Sequence, residues 1–208
     1  GQSTITTNDK VVNIISSYSY ENEFAHFLVK GLKKELKELI PNATIINSYT
    51  DIAYAKNYSD AVKELNEALL SRADMAGILI FIGDEAWMTY RSLGRVDSTK
   101  IIICSTNDII CHDYNDYFNS KEITEENSLQ IDSSIKGYNA YVIKYSNTLE
   151  QTTKLIKNLL PEIDKYLYIS KKTFSDKRII DKLENLVGIN NMSVIEIDKN
   201  NPNFLKEA

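Results

Sequence analysis

The residues able to do chemistry gather at the ends of apolar runs. Ser17, Tyr18 and Tyr20 follow Val11-Val12-Asn13-Ile14-Ile15, and Asp84 and Glu85 follow Gly77-Ile78-Leu79-Ile80-Phe81-Ile82-Gly83. Ser105, Thr106, Asn107 and Asp108 follow Ile101-Ile102-Ile103-Cys104. Their hydroxyls, amides and carboxylates suit hydrogen bonds to a small polar molecule, with tyrosine rings covering its apolar face. Each set also has a structural use: Asp84 can cap the helix it opens, and Ser105 to Asp108 can form a turn. A buried carboxylate among them needs donors from the protein or a ligand, because an ionised group loses its hydration on burial.

Other chemistries are excluded by what the chain lacks. The stretch after the first apolar run, Ser16-Ser17-Tyr18-Ser19-Tyr20, contains none of the closely spaced glycines of a dinucleotide fingerprint. Walker-type loops and Gly-x-Ser-x-Gly elbows are absent, and serines stand where a phosphorylation receiver needs an acidic pair. His26, beside Phe24 and Phe27, reads as a packing or surface histidine. His112, near Asp108 and Asp113, reads as part of a polar loop, with a weak metal or acid–base role as the alternative. Two Cys and two His cannot close a four-ligand zinc site without a carboxylate. Cys104 reads as a buried thiol and Cys111 as a separate loop residue, with a pairing across the loop as the alternative. No metal and no cofactor is expected.

The elements that must position these groups alternate. Apolar runs at residues 11–15, 43–47, 76–82 and 100–104 read as strands covered on both faces. Between them, helical spacing predicts helices near residues 21–39 and 59–70 and a short one opening at Asp84. A long polar loop, Ser105 to about Asn127, is rich in acidic and aromatic residues and has room for a short helix. Beyond it come an extended stretch at 138–145, a helix capped by Asn147 or Thr148 and closed at Pro161, a strand at 166–169, a helix at 175–186 and a strand at 192–197. The tail from Asp198 reads as frayed, and Gly1 to Asp9 as a polar lead-in without an apolar signal core.

Such alternation predicts an α/β fold with a parallel sheet flanked by helices. The 208 residues divide into a first α/β lobe at 10–125 and a partial second lobe at 126–208. With 24 basic against 29 acidic residues and no long basic block, nucleic acid is not an expected partner. No run of 18 apolar residues is present.

The strand ends carry a resemblance. Ile14-Ile15-Ser16-Ser17-Tyr18, Ile80-Phe81-Ile82-Gly83-Asp84-Glu85-Ala86, Ile101-Ile102-Ile103-Cys104-Ser105-Thr106-Asn107-Asp108, and Leu160-Pro161 before Lys165-Tyr166-Leu167-Tyr168-Ile169-Ser170 stand in the same order along residues 11 to 190. This resembles the type I periplasmic-binding-like sensor domains of bacterial two-component histidine kinases, hybrid sensors included, and the related transporter substrate-binding proteins. The resemblance implies two flavodoxin-like lobes with a ligand between them and no catalysis in this segment. It implies first-lobe contacts at Ser17, Tyr18, Asp84, Glu85, Asn107 and Asp108. In the second lobe it implies the loop from Ser170 to Phe174, with Lys171 and Thr173 as contacts. Relatives often carry a Trp just after the first strand where this chain has Phe24, and the second lobe here is short. The expected partners are a small polar molecule, a second copy of the chain, and a membrane reached through segments outside this chain. The expected location is the periplasmic or extracytoplasmic side of a bacterial membrane. A scaffold or dimerisation module without ligand, and a flavodoxin-like enzyme, are the competing expectations.

Overall fold

The computed structural model describes residues 11–70, 77–95, 98–105, 107–144 and 149–197. The chain divides into two compact units, Gly1–Tyr145 and Ser146–Ala208.

The first unit is built on a five-stranded sheet in the order β2-β1-β3-β4-β7, every pair parallel. Its strands are β1 (Val11–Ser16), β2 (Thr44–Tyr49), β3 (Ile78–Ile82), β4 (Lys100–Ser105) and β7 (Ala140–Lys144). Central β1 is buried at all six positions, in keeping with its largely apolar sequence, although Asn13 and Ser16 are polar. Side chains alternate between two covered faces. On one, Val12, Ile14, Ile80, Ile82 and Cys104 pack with Val29, Leu28, Leu32 and Leu36 of α1 (Glu23–Leu39). That helix is capped by Asn22, whose Oδ1 accepts the Ala25 N–H at 3.0 Å, and Pro41 follows its end. On the other face, Phe81 lies against Trp87 and Tyr90 of α3 (Asp84–Ser92), and the Asn13 amide donates to Ala68 O of α2 (Tyr58–Leu70).

Of the strand residues expected to be buried, Val12, Ile14, Leu79 and Phe81 are, whereas Ile102 is half-buried. Ile102 lies toward β7, where its register neighbour Tyr141 is 67% exposed.

Helix α3 is buried over its first seven residues, Asp84 to Tyr90, while Arg91 and Ser92 are half-buried. A helix buried all round is normally apolar. This one opens with two carboxylates and contains a threonine, so their polar atoms must be satisfied inside the protein.

The polar segment after β4 is more ordered than its composition suggested. It holds β5 (Ile109–Cys111), α4 (Tyr114–Ser120), β6 (Ser128–Gln130) and α5 (Ile131–Ser134), and β5 pairs antiparallel with β6. Cys111 is thus a buried strand residue rather than a loop residue, and no disulfide joins it to Cys104. The boundary read between residues 125 and 126 falls inside this arrangement. Beyond it, β6 pairs with β5 and β7 with β4, so both strands belong to the first unit.

The second unit contains α6 (Leu149–Leu159), β8 (Tyr166–Ser170), α7 (Phe174–Val187) and β9 (Met192–Glu196), with β8 and β9 parallel. Thr173 and Asp176 form a reciprocal capping box at the start of α7. The expected cap at Asn147 or Thr148 and the tail from Asp198 lie outside the described residues.

Candidate functional site

The strand order places the topological switch between β1 and β3, because the chain leaves β1 toward β2 and then returns across it to β3. The polar sets after β1, β3 and β4 therefore meet at one sheet edge.

The ends of β1 and β4 use the same turn. The Ser16 hydroxyl accepts the Tyr18 N–H at 3.0 Å and reaches Tyr18 O at 2.9 Å. The Ser105 hydroxyl accepts the Asn107 N–H at 3.3 Å and reaches Asn107 O at 2.8 Å. In each case a serine closes the strand by bonding the backbone two residues on. Ser16 O also receives the Thr50 hydroxyl at 2.6 Å, which ties the end of β2 to the edge.

Between these turns stands the start of α3. Asp84 Oδ2 accepts from the Asn107 amide at 2.6 Å and Oδ1 from the Ser105 hydroxyl, also at 2.6 Å. The single Ser105 proton has two acceptors in reach, and the carboxylate is the nearer. Ser17 Oγ accepts the Ala86 N–H at 2.9 Å, satisfying a first-turn donor of α3. The Tyr18 hydroxyl donates to Glu85 Oε2 at 3.3 Å, and the Thr89 hydroxyl donates to Glu85 O at 2.7 Å. Gly83 makes the entry possible: its φ is +91°, and a Cβ there would stand 2.7 Å from Ser17 Oγ and 2.9 Å from Tyr18 Cε2.

Tyr114 belongs to the same buried group. Burial is the main cause pushing its phenol well above the usual tyrosine range, and the nearby Glu85 carboxylate adds to it. Nothing in the sequence pattern singled it out, because α4 is too short to show a periodicity.

Six of the eight expected residues thus lie in the first unit at the ends of β1, β3 and β4, but in two layers. Ser17, Asp84 and Glu85 are 0% exposed, and Tyr18 and Asn107 are also buried. These five form an inner, interlocked layer that presents almost no surface in this conformation. Asp108 turns outward, where Lys144 reaches it at 3.6 Å and Asp132 at 2.7 Å. The Asp132 hydrogen bond leads the causes that raise the Lys144 pKa. Tyr20 is 60% exposed and packs edge-on against His26 and Tyr49, with ring centroids 4.6 and 5.4 Å away. His26 thus sits in an aromatic cluster, as its neighbours Phe24 and Phe27 suggested. Burial, then the adjacent Tyr20, raises the Tyr49 pKa.

Lys171 and Thr173 are in the second unit, just beyond β8. Thr173 spends its hydroxyl as the α7 cap, accepting the Asp176 N–H at 3.0 Å. Asp176 in turn accepts the Lys171 N–H and the Tyr168 hydroxyl, each at 2.8 Å. The Lys171 side chain is exposed.

His112 bonds through its backbone, donating N–H to Asn127 O and accepting from Arg91, while Asp113 caps α4. Among the described residues no group of three or more His, Cys, Asp or Glu could hold a metal ion. Thr106 lies outside the described residues.

No protein-family profile and no curated protein matches the sequence. Solved structures do resemble the fold. A conserved domain protein from Vibrio cholerae superposes with a TM-score of 0.54 at 13% identity, over 90% of this chain and 56% of its own. A periplasmic binding protein from Burkholderia mallei gives 0.52 at 9% identity, over 96% and 49%. An ABC-transporter solute-binding protein from Rhodopseudomonas palustris, solved with 3,4-dihydroxybenzoic acid, gives 0.50 at 10% identity, over 91% and 46%. The chain spans about half the length of these proteins. At these identities the likeness establishes the fold: a parallel α/β sheet flanked by helices, of the periplasmic-binding-protein kind.

Proposed function

We propose that this chain binds a small polar molecule at the C-terminal edge of its five-stranded sheet, as the ligand-sensing part of an extracytoplasmic receptor. The observation that carries the reading is the convergence of three polar strand ends at the topological switch, where open α/β sheets take their ligands. The inner layer of Ser17, Tyr18, Asp84, Glu85 and Asn107 shapes the edge, and outward groups such as Tyr20 and Asp108 meet the ligand. Tyr20, by Tyr49 at the end of β2, offers a ring to an apolar part of a ligand, and Asp108, by Lys144 at the end of β7, offers a carboxylate to a donor or cationic part. The resemblance to histidine-kinase sensor domains supports a place outside the membrane and attachment through segments outside this chain. No catalytic role is assigned to this segment.

The test is calorimetry and thermal shift on this chain with amino acids, hydroxylated aromatic acids and sugars as probes. Aromatic acids and amino acids are first choices because solute-binding proteins of this fold include one solved with 3,4-dihydroxybenzoic acid and one of an amino-acid transporter. Tyr20→Ala and Asp108→Ala should weaken binding of the probe that binds while unfolding is unchanged. Unchanged affinity in both removes this edge from the function. The burial of the inner layer favours, as a second reading, a scaffold whose polar edge is wholly structural. Failure of every probe to bind supports that reading.

A further inference from the structure

The second unit repeats the opening of the first. In both, a strand ends in a buried serine whose hydroxyl accepts the N–H two residues on: Ser16 with Tyr18, and Ser170 with Lys172, each at 3.0 Å. In both, a helix then leads to a second strand parallel to the first, α1 between β1 and β2 and α7 between β8 and β9. Such connections are right-handed as a rule, so α1 and α7 cover corresponding faces. Tyr168 lies on that face of β8, since its hydroxyl donates to Asp176 of α7 at 2.8 Å. The opposite faces differ. Counting back from the two serines, Ile15 and Asn13 of β1 match Ile169 and Leu167 of β8. Ile15 and Asn13 are 0% and 1% exposed, whereas Ile169 and Leu167 are 51% and 60% exposed. In the first unit this face is covered by α2, the helix that follows β2 after residues 50–57, and its Ala68 O accepts from the Asn13 amide at 3.3 Å. In the second unit Ile195 of β9, the register partner of Ile169, shares the open face and is half-buried. Parallel strands are normally covered on both faces, so these three residues form an apolar surface that lacks its cover.

We propose that residues 198–208 fold back over this face and set Phe204 and Leu205 on Leu167, Ile169 and Ile195. Order in the chain names this segment: it follows the second strand of its βαβ unit, the place that α2 holds in the first unit. Its sequence fits the task. Asn200-Asn201-Pro202-Asn203 has the composition of a turn, and Phe204-Leu205 is the first apolar pair after Ile197. Its reach is sufficient. Residues 197–203 stand between β9 and Phe204 much as residues 50–57 stand between β2 and α2, and at roughly 3.3 Å per residue they can span the length of β8. The apolar pair would then complete the core of the second unit from the side that α7 leaves open. The proposal concerns the second unit alone and stands whether or not the sheet edge of the first binds a ligand.

Thiol labelling of Ile169→Cys in the full chain is the test. Cys104 and Cys111 are both buried, so the new thiol is the accessible one. A maleimide should modify it roughly tenfold more slowly than in the same chain carrying Phe204→Asp and Leu205→Asp, which keep the segment and remove its apolar pair. The protection should be independent of protein concentration. In a separate chain, Leu167→Cys with Leu205→Cys should close an intramolecular disulfide under oxidised glutathione, identified by mass spectrometry of the linked peptides. That cross-link carries the test even if circular dichroism shows that the double aspartate variant loses structure. Equal labelling rates with and without the aspartates overturn the proposal. So does protection that grows with protein concentration, which would make a second copy the cover. A Leu167→Cys and Leu205→Cys chain that cross-links only between molecules overturns it as well.

Discussion

Replacing Gly83 by alanine would test how the polar edge is assembled. The residue enters α3 with φ +91° and ψ 152°, a region that L side chains avoid. The backbone cost is about 1–3 kcal/mol. The added methyl also has nowhere to go: Ser17 Oγ is 2.7 Å away, and Ser17 Cβ and Tyr18 Cε2 are both at 2.9 Å. Those neighbours cannot swing aside cheaply, because Ser17 Oγ holds the Ala86 N–H and the Tyr18 hydroxyl holds Glu85. Overpacking of this kind adds about 1–3 kcal/mol. Gly83→Ala should therefore cost about 2–6 kcal/mol in all. Gly137 supplies the control: its φ is +86°, but its Cβ would meet no heavy atom within 4 Å. Gly137→Ala should show the backbone cost without the clash, about 1–2 kcal/mol. Urea denaturation of the two variants and the wild type gives both numbers. Equal losses, within about 0.5 kcal/mol, would refute the close packing of Gly83 on Ser17 and Tyr18.

Asp84→Ala should cost about 2–4 kcal/mol by urea denaturation, because it leaves the buried Asn107 amide and Ser105 hydroxyl without their carboxylate; a loss below about 0.5 kcal/mol would contradict that network. Leu79→Ala, in the middle of the sheet, should cost about 2–5 kcal/mol in the same assay, and a negligible loss would contradict tight packing there. Tyr114 has its pKa raised above the ordinary value of 10.0 by burial, so the unfolded chain releases this proton before the folded one does. Its contribution is whole below pH 10 and is lost as pH rises beyond that value; Tyr114→Phe should flatten the alkaline fall in stability, and an unchanged fall would exclude Tyr114 as its source.

The parallel sheet was legible because β3 is a continuous apolar run and β1 and β4 are largely apolar. A strand covered on both faces has no polar side to interrupt it, and Val11 to Ile15 and Ile78 to Ile82 read accordingly. The convergence of Ser17, Asp84 and Asn107 followed from the strand ends alone, since parallel neighbours place their C-termini on one edge. Their depth did not follow. Asp84-Glu85-Ala86-Trp87-Met88-Thr89-Tyr90 has the composition of a half-exposed helix, and only tertiary partners such as Ser105, Asn107 and Tyr18 allow it to be enclosed. The segment after β4 was opaque for another reason. Strands of three residues, such as β5 and β6, are too short to show alternation, so Ile109 to Cys111 looked like loop. One sign of the edge was available but unused: Ser16 and Ser105 each stand at a strand end two residues before a buried polar side chain, and both close the same turn.

On the proposed reading, the two layers of the edge divide the work between fold and recognition. Asp84 is buried at the N-terminus of α3, where two short hydrogen bonds hold its side chain. A ligand that took over one of those bonds would have to replace Ser105 or Asn107 as a donor. That exchange gains little, because one satisfied hydrogen bond is traded for another. Binding energy must therefore come from surface that is still in water, and Tyr20 and Asp108 offer it. Asp108 already shares Lys144 with Asp132, so a cationic group arriving there competes with an exposed lysine rather than with a buried network. Exposed ion pairs of this kind are worth roughly 0–1 kcal/mol and are readily exchanged. On that reading the inner layer would serve recognition indirectly, by fixing the strand ends beyond which Tyr20 and Asp108 lie and so leaving less conformational freedom to be lost when a ligand binds.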